Sequence, residues 1–205
     1  FQAIAQPPGS GTKWTPEGDA YLESKRGAIV KFDLKSQTSN TIISADKFIP
    51  SGQASGLKIT NFSFSQDQKQ ILVFTNSKKV WRFKTRGDYW ALNLENNKLH
   101  QLGKSLPAAS LMFAKFSPDG SKVAYVSQRN IFVEDLTSGK IKQLTKTNGN
   151  PGIINGTFDW AYEEELSCYD GFRWSPDSKK IAFWQLDASG VKYFNLINNT
   201  DDIYS

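Results

Sequence analysis

Three carboxylates stand in a row at Glu163-Glu164-Glu165, directly after Asp159-Trp160-Ala161-Tyr162. Consecutive like charges repel, so such a run suits either open water or a bound cation. Two readings fit these residues. In one the run opens a helix: Thr157 or Asp159 caps it, and glutamates in the first turn complement the positive end of the helix dipole. In the other, the glutamates hold an ammonium group and a nearby arginine holds a carbonyl or carboxylate. The candidate arginines are Arg82 and Arg86, in the stretch Val80-Trp81-Arg82-Phe83-Lys84-Thr85-Arg86-Gly87-Asp88-Tyr89-Trp90.

Covalent chemistry finds no such support. Hydrolysis by a serine nucleophile needs a base and an orienting group beside it. The sole histidine, His100, lies in Lys98-Leu99-His100-Gln101 beside a strand end, where an edge or surface role is expected. No G-x-S-x-G elbow occurs, since Gly52-Gln53-Ala54-Ser55-Gly56 carries its serine one place too late. Phosphate-cradling and dinucleotide glycine patterns are missing as well. Cys168 is the only cysteine, which excludes an intrachain disulfide and a Cys/His metal pattern. No catalytic residue, metal ligand or cofactor is therefore assigned, and the chain alone is expected not to hydrolyse peptides.

Composition narrows the partners. Of 205 residues 39% are apolar and 13% aromatic, enough for a packed core. The net charge of +5 comes from lysines and arginines scattered beside turns, such as Lys78-Lys79 and Lys179-Lys180. No basic stripe interleaved with aromatics appears, so nucleic acid is not an expected partner. No apolar run reaches the roughly 18 residues of a membrane-spanning helix. The chain opens at Phe1-Gln2 without methionine or a signal core, which suggests a processed or excised piece.

The elements that must position these residues follow a repeat. An aromatic, a Ser or Thr, usually a Pro, and an acid precede a short apolar strand. The copies start at Trp14, Phe64, Phe116 and Trp174, with spacings of 50, 52 and 58 residues. Proline fixes φ at the second place of a turn, and Asp then Gly or Ser complete it. A second motif follows each copy: Val30–Leu34, Trp90–Leu94, Phe132–Leu136 and Tyr193–Ile197. Each period thus holds about four short strands, the unit of a β-propeller blade. The expected fold is all-β, a propeller fragment of about four blades of four antiparallel strands each, with a short helix near residues 157–168. That helix falls in the longest period and reads as an insertion on one face of the array, where binding residues concentrate.

With these residues in place, the sequence resembles the N-terminal propeller of the dipeptidyl peptidase IV family, in the prolyl oligopeptidase clan. Asp159-Trp160-Ala161-Tyr162-Glu163-Glu164-Glu165 and Phe172-Arg173-Trp174-Ser175-Pro176-Asp177 carry the resemblance, supported by Trp81-Arg82 and Tyr89. It implies that residues 1–205 are the first half of an eight-bladed open propeller whose other half and α/β-hydrolase domain this chain lacks. It implies a serine-type enzyme that releases Xaa-Pro or Xaa-Ala dipeptides from peptides with a free N-terminus. Glu164 and Glu165 would hold the α-ammonium, with Glu163 beside them, and Arg82 would contact the substrate carbonyl; Arg86 is the competitor. The implied setting is a bacterial periplasm or secretion. A half-propeller would expose apolar blade faces around Trp14 and Trp184, so a homo-oligomer is expected. The rival class is a WD40-like or TolB-like interaction propeller without peptidase activity, and the remaining reading frame separates the two.

Overall fold

Each recurring turn is closed by its own serine. The hydroxyls of Ser65, Ser117 and Ser175 each donate to the aspartate two residues on, at 2.6 Å. Each also accepts the backbone N–H five residues on, from Gln70, Lys122 and Lys180. One short side chain thereby ties both ends of the turn and starts the next strand in register. Thr15 performs the same service in the first copy, donating to Asp19 and accepting from Ala20 N–H. The second motif ends in an equivalent device, since Asp33, Asn93 and Asp135 accept backbone N–H groups two or three residues ahead and turn the chain again.

The computed structural model describes residues 12–192. Blade one is a four-stranded antiparallel meander of β1 (Lys13–Trp14), β2 (Ala20–Lys25), β3 (Ala28–Asp33) and β4 (Thr38–Ile43). Blade two follows as β5 (Asn61–Phe64), β6 (Gln70–Lys78), β7 (Arg86–Asn93) and β8 (Leu99–Gln101). Blade three is β9 (Leu111–Phe116), β10 (Lys122–Ser127), β11 (Asn130–Asp135) and β12 (Ile141–Gln143). Blades two and three join into one sheet because the start of β7 pairs with β9, Arg86 opposite Met112 and Gly87 opposite Leu111. Glycine is required there: a Cβ on Gly87 would overlap the Phe74 ring and the Thr75 carbonyl.

Blade four is begun by β14 (Phe172–Trp174) and β15 (Ile181–Phe183). Here the expectation of four complete blades meets a difference. β16 (Gln185–Asp187) pairs with β13 (Ile153–Asn155), a strand that precedes the helical insertion. The expected strand at Tyr193–Ile197 lies outside the described residues.

Apolar clusters fill the spaces between blades. Ile29, Phe48 and Ile71 pack blade one on blade two, Leu72, Leu111 and Tyr125 pack two on three, and Val126, Ile131 and Phe172 pack three on four. Polar ties run along the same seams: Gln70 to the Gly120 carbonyl, Asp119 N–H to Ser178, and the Trp174 indole to the Lys115 carbonyl. On the outermost described blades Trp14 is 57% and Trp184 66% exposed. His100 does lie on an edge strand, β8, but its ring is not a free surface group. Its Nε2 sits 2.6 Å from Glu134, which is buried and also accepts Gly103 N–H and the Tyr125 hydroxyl.

Candidate functional site

Between β13 and β14 the chain leaves the repeat and returns. The neck of this excursion is a bridge between Thr157 and Asp170, reinforced by the Thr157 hydroxyl donating to the Tyr169 carbonyl. Asp170 receives Lys115 of β9 at 2.5 Å and Arg173 of β14 at 3.0 Å, so two inner strands hold the neck by charge. Burial pulls the Lys115 ammonium down to about 8, opposed by the Asp170 carboxylate, and its Nζ lies over the Phe172 ring. The excursion's helix is the seven-residue α1 (Trp160–Leu166), about two turns long. Of the two candidate caps Asp159 takes the role, accepting Tyr162 N–H, while Thr157 serves the neck. Ser167 closes the other end in the left-handed region at φ 53°.

The three glutamates of α1 take three different environments. Glu163 is only 5% exposed and faces inward, with Oε1 buried and without a hydrogen-bond partner. Desolvation, and then the charge of Glu164, push its carboxyl above the ordinary value of 4.5. Glu164 forms an ion pair through Oε2 with Nε of Arg82; its side chain is 6% exposed and that of Arg82 75%. Glu165 is exposed. The helix start is thus real, and it aims one glutamate at the core, one at an arginine and one at solvent.

Arg82 comes from the long β6–β7 connection, which folds back with Val80 N–H on the Phe83 carbonyl. Phe83 meets Tyr169 edge-to-face at 5.2 Å, fixing the tip of this hairpin against the excursion. Two segments about eighty residues apart in sequence are therefore held side by side, and the arginine reaches the glutamate by that contact. Arg86, the competitor, belongs to β7 and has no ion-pair partner among the described residues. Lys115, Asp170 and Arg173, which hold the excursion in place, were not singled out from the sequence. Lys115 and Asp170 are 55 residues apart, and no local pattern announces such a pair.

Nothing in this arrangement is a nucleophile–base pair. What it offers is the exposed carboxylate of Glu165 next to the largely covered Glu164, which is paired with the exposed side chain of Arg82. Such a grouping can receive an ammonium and a carbonyl from one ligand. Fold and site together define a β-propeller fragment in which a helical excursion brings a cluster of charged residues to one surface.

Residues 65–205 match the model of the dipeptidyl peptidase IV N-terminal region. The chain belongs to that family. It is 28% identical to dipeptidyl peptidase 4 of Trichophyton rubrum over 199 residues, which are 95% of this chain and 24% of the relative. It is 29% identical to dipeptidyl aminopeptidase B of Saccharomyces cerevisiae over 180 residues, 86% of this chain and 21% of that protein. Among solved structures, that of Porphyromonas gingivalis dipeptidyl peptidase 4 superposes with a TM-score of 0.76 at 29% identity, covering 90% of this chain and 26% of that one. The chain therefore spans about a quarter of the length of the relatives it matches. No helix among the described residues is long and apolar enough to cross a membrane.

Proposed function

We propose that this chain is the N-terminus-recognising part of the propeller of a serine-type dipeptidyl peptidase, one that releases Xaa-Pro and Xaa-Ala dipeptides. The observation that carries the proposal is the Arg82–Glu164 ion pair with Glu165 exposed beside it. An exopeptidase that measures two residues from a free end needs a fixed anion for the α-ammonium and a donor for the first carbonyl. In this reading Glu165 and the free oxygen of Glu164 take the ammonium. The guanidinium of Arg82 keeps Nε on Glu164 and turns its terminal nitrogens to the carbonyl. Glu163 stays beneath as the buried member of the triplet rather than a contact.

The energetics agree in scale. At about 4 Å and an effective dielectric near 20, one ion pair is worth at most roughly 4 kcal/mol before desolvation. Glu164 and Glu165 also repel each other when the site is empty, and a cation relieves that repulsion. The nucleophile, base and orienter would come from an α/β-hydrolase domain elsewhere in the protein, so the chain by itself hydrolyses nothing. The reading includes a bacterial periplasmic or secreted setting and a homo-oligomer, the latter supported by the exposed Trp14 and Trp184.

The test is hydrolysis of a Gly-Pro chromogenic substrate by the full-length protein carrying Glu164→Gln or Glu165→Gln. Each should lower kcat/KM about 100-fold, on the order of 3 kcal/mol. Wild-type rates in both variants would return the triplet to a plain helix start.

A further inference from the structure

Behind the Arg82–Glu164 pair lies a cavity of about 450 Å³, between the β6–β7 hairpin tip, α1 and the Gln128-Arg129 turn. Its walls combine cations with apolar surface. Arg86, Arg129 and Lys79 supply the charge, while Trp81, Met112 and Phe158 supply the apolar part. Arg86 and Arg129 are exposed, and neither has an ion-pair partner among the described residues. Two carboxyl groups also border the space, Asp159 and Glu163. Asp159 is committed to capping α1. Glu163 lies buried in the wall, and the three cations of the cavity outnumber its two carboxyl groups.

We infer that this cavity is a second ligand site, which takes the carboxylate end of a short peptide of dipeptide size. A planar guanidinium binds a carboxylate through two parallel N–H donors, and two guanidiniums in one cavity favour an anion strongly. The volume lies in the range of small-molecule sites, and the apolar wall suits the body of a small, uncharged dipeptide. Only the choice of a dipeptide rests on the peptidase reading, because that reaction releases a molecule with a free carboxylate. The cavity is bordered by Trp81 and Glu163, the chain neighbours of Arg82 and Glu164. A ligand seated there lies one residue along the chain from each member of the ion pair.

The experiment is equilibrium dialysis of the full-length protein with two probes. N-acetyl-alanyl-proline has a carboxylate and no ammonium; alanyl-pyrrolidide has the ammonium and no carboxylate. N-acetyl-alanyl-proline should bind saturably, should not be displaced by excess alanyl-pyrrolidide, and should bind at least tenfold more weakly to Arg86→Gln and to Arg129→Gln. Thermal denaturation checks the fold of each variant, and Arg129→Gln, on a surface turn, decides the matter if Arg86→Gln unfolds. The inference is overturned by absence of saturable binding, by displacement with alanyl-pyrrolidide, or by unchanged binding to the arginine variants. Should alanyl-pyrrolidide fail to bind while the acetylated dipeptide binds through the arginines, the ammonium reading fails and the cavity site stands.

Discussion

Two glutamates in this molecule are buried, and their surroundings could hardly differ more. Glu134, on β11, has Oε1 against His100 and Oε2 accepting both Gly103 N–H and the Tyr125 hydroxyl. Glu163, on α1, has an oxygen that is buried with no partner. A carboxyl out of water is tolerated when its lone pairs are satisfied, and costs free energy when they are not. Glu134 stitches blade two to blade three within the repeat. Glu163 sits beneath the charged surface of α1, where the excursion from the repeat has placed three like charges in sequence. The seam between blades two and three satisfies its buried carboxylate, whereas the excursion leaves one oxygen of its own without a partner.

That contrast can be broken by mutation, with the greatest effect on the scaffold side. Glu134→Ala strands His100, Gly103 N–H and Tyr125 at one buried spot. It should cost about 4 kcal/mol, measured as the loss in urea unfolding free energy. A loss below about 1 kcal/mol would mean that water replaces the carboxylate and the blade seam is not dry.

A smaller effect is expected at the repeat turns, where Ser117 is buried and Ser175 is only part-buried. Ser117→Ala removes one donor and one acceptor from a closed turn and should cost about 2 kcal/mol. Ser175→Ala, at the open end of the array, should cost roughly half that. Equal losses would show that burial along the array does not grade the turns.

The smallest effect, and one of opposite sign, is expected at Glu163. Its carboxyl titrates above its ordinary value of 4.5 in the folded chain. The protonated form is the favoured one in the fold, so its contribution is fully present below pH 4.5. That contribution is lost as pH rises through the raised folded value. Glu163→Gln should therefore match the wild type at pH 4 and exceed it modestly in thermal stability at pH 7. A variant less stable than wild type at pH 7 by the same margin as at pH 4 would show that the buried oxygen has a partner after all.

The same contrast explains what could be read from the sequence. The turns at Phe64, Phe116 and Trp174 were legible because each is closed by neighbours within five residues, so the pattern and its cause lie in one short stretch. The helix was legible for the same reason, with Asp159 one of its two candidate caps. What the glutamates face was not. Glu164 meets Arg82 only because Phe83 packs on Tyr169 and because Lys115 and Arg173 grip Asp170. Apart from the local Asp170–Arg173 pair, those contacts join segments far apart in sequence, and no spacing rule encodes them. Assigning Glu163 to the substrate beside its neighbours treated three adjacent residues as one surface. In the fold Glu163 turns inward and is 5% exposed while Glu165 stays in the open, so the triplet does not share one environment. The partnering of His100 with Glu134 was hidden likewise, by the packing of one blade on the next.

Glu164 and Glu165 are proposed to read a positive charge at the substrate's N-terminus. The most direct measurement is a double comparison of kcat/KM in the full-length protein: free against N-acetylated substrate, in the wild type and in Glu164→Gln and Glu165→Gln. Acetylation should cost the wild type about 100-fold, and cost each variant far less, because the charge it removes no longer has its counterion. If acetylation costs the variants as much as the wild type, these glutamates do not bind the ammonium and the account of this site is wrong.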